Sequence, residues 1–262
     1  MAGVLRIIGV DGVSDKKVFL KELVQADDSL LALALSVDGK KLAAAGCDRI
    51  VRVWDLPSGK LEHSIENHAD WVLGLAFSAD GKYLATASRD KTAKVWDLAA
   101  KESLVTFPDH QNPVYGVALM PDGKIGISIG DDSSVRTWNV VDTGKNIGKQ
   151  VKTMAGHSKS VFRMSLNTSV KPNLLATCSA DGSVKLFDPA AGTVLKDLKG
   201  MTDWVYAVAI SPDAKLVAAG GWNGEVRVWK TADGAVQAGF NASPGFVGNT
   251  ADTKAPVPEK KK

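Results

Sequence analysis

Only two cysteines, Cys47 and Cys178, occur among the 262 residues of this chain. They fall at non-equivalent positions of the pattern described below, so their spacing gives neither a disulfide ladder nor a zinc site, and both are read as buried or idle thiols. A charge of one sign is also missing. The formal +3 arises entirely in residues 254–262, where Lys254, Lys260, Lys261 and Lys262 face only Glu259; the rest of the chain carries 28 basic and 28 acidic residues. A balanced body lacks the basic face or stripe that nucleic acid requires. No apolar stretch approaches the roughly 18 residues needed to span a bilayer. The opening MAGVLRIIGV is broken by Arg6 and has neither a proper apolar core nor a small-residue cleavage site. The expectation is a soluble, cytoplasmic protein that engages neither nucleic acid nor membrane.

Catalytic signatures are missing too. There is no nucleophile-elbow serine, phosphate-binding glycine loop, helical histidine pair or cysteine–histidine arrangement, and Gly220-Gly221 is turn material. The chain is therefore read as no enzyme, with no cofactor and no metal.

What the sequence does have is a period. An alternating apolar strand, a turn around Asp-Gly and two further short strands ending in an aromatic residue recur five times. The aromatic stands at Trp54, Trp96, Trp138, Phe187 and Trp229, at spacings of 42, 42, 49 and 42, and a fixed period in this range is the mark of a repeat architecture. In the second repeat, residues 72–77 read as a buried strand, Ser78-Ala79-Asp80-Gly81 as a hairpin turn, and residues 83–87, 91–96 and 103–107 as three further strands. Equivalent turns stand at Ser36-Val37-Asp38-Gly39, Met120-Pro121-Asp122-Gly123 and Ser211-Pro212-Asp213-Ala214. The long spacing comes from insertions in the turn at 167–173 and the connection at 141–150, where loops tolerate them.

The segments LAAAGCDRIVRVWDL at 42–56 and LATASRDKTAKVWDL at 84–98 resemble the WD-repeat family of β-propellers, and the likeness covers residues 24–240 in five in-phase copies. That resemblance implies an all-β WD-repeat β-propeller, with five recognisable four-stranded blades around a central channel and stability shared between neighbours. It also implies a hydrogen-bonded set within each blade: a His before the first strand, a Ser or Thr in the second, an Asp in the following turn and the Trp of the third. Carried over by position, the set is complete as His68, Thr86, Asp90 and Trp96, and again as His110, Ser128, Asp132 and Trp138. The fourth repeat keeps His157, Thr177 and Asp181, but Phe187 removes the indole donor. Repeat one has Ala26, Ala44, Asp48 and Trp54, and repeat five has Met201, Ala219, Asn223 and Trp229; degenerate terminal repeats are normal for an array.

This register separates structural residues from unexpected ones. The three in-phase histidines belong to three different blades and so cannot converge on one ion. The in-phase aspartates open tight turns and cap their own backbone. His63 falls in an outer strand and is expected to face solvent. Three tryptophans stand out of phase. Trp71 and Trp204 share a slot at the lip of the first strand, after Asp70 and Asp203, and Trp222 holds the slot of Arg89 in repeat two, Asp131 in repeat three and Cys47 in repeat one. In the family both slots lie on the face that usually binds partners, and large aromatics with Arg dominate interface energetics. Trp71, Arg89, Asp131, Trp204 and Trp222 are thus the candidate partner-binding residues, and the expected partner is a protein or peptide.

The domain reading is residues 1–23 as N-terminal strands of a partial or closing blade, 24–240 as the propeller (repeats about 24–65, 66–107, 108–154, 155–198 and 199–240), and 241–262 as a disordered Lys-rich tail. Residues 17–23 align with a fourth strand and 4–8 with a third, while repeat five has its own fourth-strand candidate at 235–240. Either one outer strand is redundant or a sixth blade is incomplete. An incomplete blade leaves edges that can pair with a partner or a second copy, a possible route to self-association. Two rival readings remain: a regulatory or catalytic propeller with a small-molecule site in its channel, and a fragment of a larger bacterial WD-repeat protein. GFNASPGF at 239–246 is similar to endings of bacterial WD-repeat regions attached to larger proteins, some with c-type haem domains. No Cys-x-x-Cys-His motif attaches haem here.

Overall fold

The structure, a computed structural model, describes residues 3–10, 17–141 and 146–243, with side chains from residue 27 onward. Every regular element among them is a strand. The first two, β1 (Gly3–Val10) and β2 (Lys17–Ala26), pair antiparallel as a two-stranded sheet. The other strands form five four-stranded sheets, each from consecutive strands. Sheet one is β3 (Leu30–Leu35), β4 (Lys41–Gly46), β5 (Ile50–Asp55) and β6 (Lys60–Glu66). Sheet two is β7 (Val72–Phe77), β8 (Tyr83–Ser88), β9 (Ala93–Asp97) and β10 (Glu102–Phe107). Sheet three is β11 (Val114–Leu119), β12 (Ile125–Gly130), β13 (Val135–Asn139) and β14 (Gln150–Met154). Sheet four is β15 (Val161–Asn167), β16 (Leu174–Ser179), β17 (Val184–Asp188) and β18 (Thr193–Leu198). Sheet five is β19 (Val205–Ile210), β20 (Leu216–Gly221), β21 (Glu225–Lys230) and β22 (Val236–Asn241).

The hairpins form where the local chemistry demands them. Ser36, Ser78 and Ser211 each donate a hydroxyl to an Asp two residues on, at 2.6, 2.7 and 2.6 Å. Each also accepts the amide five residues on, which closes the turn before the second strand begins. The residue after the Asp is left-handed, Gly39 and Gly81 in two of these turns and Ala214 in the third. A second regularity lies at the entry of the first strand. β3, β7, β15 and β19 all shift register just after their first residue, a bulge that bends the strand and places the preceding residue at the sheet's lip.

The chain divides into two compact units, residues 1–128 with 137–151, and residues 129–136 with 152–262. In the first, Leu75 and Phe77 of β7 pack on Ala43, Ala45, Val51 and Val53 of sheet one. Val117 and Leu119 of β11 join Ala85, Ala87, Ala93 and Val95 of sheet two in the same way. In the second unit Val208 and Ile210 of β19 pack on Ala176, Cys178, Val184 and Leu186. Each contact sets the first strand of one sheet against the second and third strands of its predecessor. Each buried aliphatic side chain contributes about 1.5–3 kcal/mol, so these sheet-on-sheet contacts carry most of the stability.

At the ends, β22 pairs with β21, so repeat five has an outer strand of its own, while β2 pairs with β1. The described residues therefore contain a two-stranded sheet besides the five four-stranded ones. Asn241, placed in the tail by composition, is the last residue of β22 and donates its side-chain amide to Asn223 O. The rest of the tail from residue 244 lies outside the described residues, as do 142–145 of the long connection.

Candidate functional site

The in-phase residues form chains of hydrogen bonds that run down each sheet. In sheet two, Trp96 Nε1 donates to Thr86 Oγ1 at 3.4 Å, His68 Nε2 meets the same hydroxyl at 2.7 Å, and His68 Nδ1 meets Asp90 Oδ2 at 2.8 Å. An ionised carboxylate only accepts, so the imidazole proton sits on Nδ1 and Nε2 accepts from Thr86. Asp90 also takes the Ala69 amide at 3.0 Å and the Thr92 hydroxyl at 2.6 Å. Burial pushes its carboxyl up, but the His68 and Thr92 hydrogen bonds outweigh it and hold the group well below the usual range.

Repeat three repeats the upper part: His110 Nε2 lies 2.7 Å from Ser128 Oγ, which also accepts Trp138 Nε1 at 3.2 Å. Asp132 accepts the Ser134 amide at 3.2 Å and pairs with Arg136 at 3.3 Å. In repeat four His157 meets Thr177 at 2.8 Å and Asp181 at 3.1 Å, and Phe187 fills the indole's place without a donor. Burial raises Asp181, yet the Ser183 hydroxyl and the Ser158 and Ser183 amides bring it down to about 2; burial lowers His157. In sheets two and four the histidine, the threonine hydroxyl and the aspartate satisfy one another.

The degenerate repeats improvise. With no histidine beside it, Asp48 accepts Arg52 Nη1 at 2.7 Å, from four residues on. In repeat five Ala219 offers no hydroxyl, and Trp229 Nε1 donates instead to Lys199 O at 3.0 Å. Asn223 Nδ2 donates to Thr202 Oγ1 at 2.9 Å. Cys178 is buried and its thiol is pushed up to about 12; Cys47 is half-buried and raised by burial and by Asp28 and Asp48.

The out-of-phase tryptophans behave differently, for Trp71, Trp204 and Trp222 are 40%, 48% and 74% exposed. One backbone bridge joins the two slots: Arg89 N donates to Trp71 O at 2.9 Å, and Trp222 N to Trp204 O at 2.8 Å. Asp70 and Asp203 fix the first tryptophan of each pair by accepting its amide at 2.8 and 2.7 Å. In the first unit the Arg89 guanidinium sits 4.7 Å from the Trp71 ring centroid, a cation–π arrangement, with Asp70 Oδ2 3.5 Å from Arg89 Nε.

In the second unit Trp204 and Trp222 flank Tyr206, at ring distances of 6.3 and 5.6 Å, and Tyr206 stacks on Phe162 at 4.4 Å. Sequence reasoning passed over Tyr206 and Phe162, which read as ordinary strand residues. The signal was their shared slot, the second residue of β19 and of β15. Asp131 differs from the other candidates: its carboxylate is half-buried and accepts the Ser160 hydroxyl.

His63, expected to face solvent, is half-buried. It lines a groove of about 390 Å³ with Glu62, Asn67, Trp96 and Lys101, and burial lowers its pKa. The groove floor is the third strand of sheet two, which places it beside the outer strand of sheet one.

With this geometry in place, a family model described as "WD domain, G-beta repeat" matches residues 17–55, 59–97, 101–139, 148–188 and 192–230. The chain belongs to the WD-repeat family. Each matched segment opens on an outer strand and closes on the third strand of the next sheet, so the WD-repeat unit is one strand out of step with the blade. Curated relatives include the nuclear distribution protein PAC1 of Arthroderma benhamiae, 37% identical over 31% of this chain and 19% of that protein. The nuclear distribution protein nudF of Emericella nidulans is 29% identical over 37% of this chain and 22% of its own length. A probable serine/threonine-protein kinase, PkwA of Thermomonospora curvata, is 38% identical over 19% of this chain and 7% of its length. The matches thus span about a fifth or less of these relatives.

Proposed function

We propose that this WD-repeat chain is a non-catalytic recognition module that binds a polypeptide through Trp71 with Arg89 and through Trp204 with Trp222, with Asp131 in the matching slot. The observation that carries the reading is the exposure of these tryptophans in a chain whose in-phase tryptophans are buried. Both clusters are held in place by backbone bridges and aspartate caps, so little side-chain entropy is lost when a partner covers them. Indole and guanidinium groups are also the side chains that dominate interface energetics.

The test compares wild type with a Trp71→Ala, Trp204→Ala double variant. Peptides selected from a random display library on the wild-type chain are titrated into both proteins by calorimetry. Each lost anchor costs about 2 kcal/mol, so binding falls by a factor of about thirty or more while thermal unfolding stays in place. Equal affinity for the two proteins overturns the assignment.

A further inference from the structure

The three sheet-on-sheet contacts described above share one geometry, and two sheet faces carry its halves uncovered. The first half is the face of β3. By register Leu33 and Leu35 occupy the positions of Leu75 and Phe77 in β7, Val117 and Leu119 in β11, and Val208 and Ile210 in β19. All of those pack on a preceding sheet. Leu33 and Leu35 are instead 57% and 58% exposed, and the adjoining Leu31 and Val37 are exposed with them. Leu33 and Leu35 on the strand face, with Leu31 at the bulge and Val37 in the turn that follows, form an apolar surface of the kind that marks an interaction site.

The second half is the opposite face of sheet five. In sheets one, two and four, this face is a small and β-branched set: Ala43, Ala45, Val51 and Val53; Ala85, Ala87, Ala93 and Val95; Ala176, Cys178, Val184 and Leu186. None of these exceeds 1% exposure. Their counterparts in sheet five are Ala218, Gly220, Val226 and Val228, and none of them is buried. Phe240, in the outer-strand position that Phe107 holds fully buried, is 53% exposed. This face has the composition that receives a first strand in the three contacts above, yet its residues are only half-buried and no first strand among the described residues packs on it in that way.

We propose that the β3 face of one molecule docks on the sheet-five face of a second copy of this chain, reproducing between molecules the contact that joins successive sheets within one. Continuity with the internal contacts picks the occupant. A β3-type face is received wherever it is buried by residues of both a second and a third strand, as Ala43 with Ala45 and Val51 with Val53 receive β7. The two-stranded sheet β1–β2 aligns by sequence with third and outer strands, and among the described residues no second strand accompanies them to supply half of that surface. Sheet five of another copy supplies both. The contact is heterologous, because the two faces differ, so copies join head to tail.

Sedimentation velocity of the full chain over a wide concentration range tests this. The wild type is expected to associate as concentration rises. A Leu33→Glu, Leu35→Glu variant and a Val228→Glu, Phe240→Glu variant should each stay monomeric with unchanged circular dichroism, since all four side chains are at least half-exposed or lie on the open face. Each variant keeps one intact face, so mixing the two should give a one-to-one heterodimer and nothing larger, which only a head-to-tail contact produces. Three results overturn the proposal: a wild type that stays monomeric throughout, association that survives both variants, or variants that fail to pair when mixed. If the wild type is monomeric, alkylation of a Leu33→Cys variant shows whether a segment of the same chain covers the face, which would replace the second copy as its occupant.

Discussion

Repeat two and repeat five follow one strand plan and solve the top of the sheet in different ways. In repeat two a relay from Trp96 through Thr86 and His68 ends on Asp90, and all four groups are satisfied by one another. In repeat five the hydroxyl, the imidazole and the carboxylate are all gone, yet Trp229 is as deeply buried as any indole in the chain, with a backbone carbonyl accepting its N–H. The relay is therefore not what buries the tryptophan. Burial comes from the strand register and the neighbouring sheet, and the relay satisfies the polar groups that burial would otherwise strand.

The largest effect that separates the two repeats should follow from deleting the end of the relay. Asp90→Ala leaves the His68 Nδ1 proton, the Ala69 and Thr92 amides and the Thr92 hydroxyl without their acceptor. The expected loss is about 2–4 kcal/mol, because three part-buried donors lose their acceptor at once. Asn223→Ala in repeat five removes an exposed bond to Thr202 and a turn cap, and should cost about 1 kcal/mol. Urea unfolding of both variants measures the difference. Equal losses would mean that the relay adds nothing beyond a turn cap.

Acid should distinguish the repeats next. The Asp90 and Asp181 carboxyls are lowered from 3.8 in the folded chain, Asp181 to about 2. A depressed carboxyl stabilises the fold fully above its unfolded value, and that contribution is lost as pH falls through the folded one, so loss runs from near 4 down to about 2. His157, lowered by burial, acts in the same direction but earlier, since the unfolded imidazole begins to gain its proton below about 6.5. Repeat five has an amide at the aspartate slot, so its share of this slope comes from Asp213 and Glu225, which are also lowered, and not from a relay. Urea midpoints followed from neutral pH downward should fall in the wild type and fall less steeply below pH 4 in Asp181→Asn; an unchanged acid limb in that variant would remove Asp181 from the account.

The comparison also shows what a sequence can carry. Strand alternation, the Ser-x-Asp turns and the His, Ser or Thr, Asp and Trp positions were all legible, because each depends on residues within one repeat. Arg52 taking the histidine's place beside Asp48 was not, nor was Lys199 O taking the hydroxyl's place at Trp229, since a backbone acceptor leaves no side-chain signature. The aromatic cluster around Tyr206 needed two strands of different sheets to be set side by side. The exposed leucines are the clearest limit: Leu31, Leu33 and Leu35 read like Leu73, Leu75 and Phe77, and only the presence or absence of a neighbouring sheet tells them apart.

The smallest effect concerns the turn after the first strand, where Ala79 and Gly81 of repeat two become Pro212 and Ala214 in repeat five. Gly81 has φ +70° with nothing within 4 Å of where a Cβ would stand, so Gly81→Ala meets no clash and isolates the conformational cost, about 1 kcal/mol for an L-residue held left-handed. Ala214 already bears that cost at φ 57°. Ala214→Gly relieves it but removes a buried methyl group worth about 0.8 kcal/mol, and frees the unfolded chain as well. The gain and the two losses nearly cancel, and urea unfolding should place Ala214→Gly within about 0.5 kcal/mol of wild type. A loss as large as that of Gly81→Ala would mean that the methyl group's packing, rather than the Ser211–Asp213 hydrogen bonds common to the other turns, holds this turn closed.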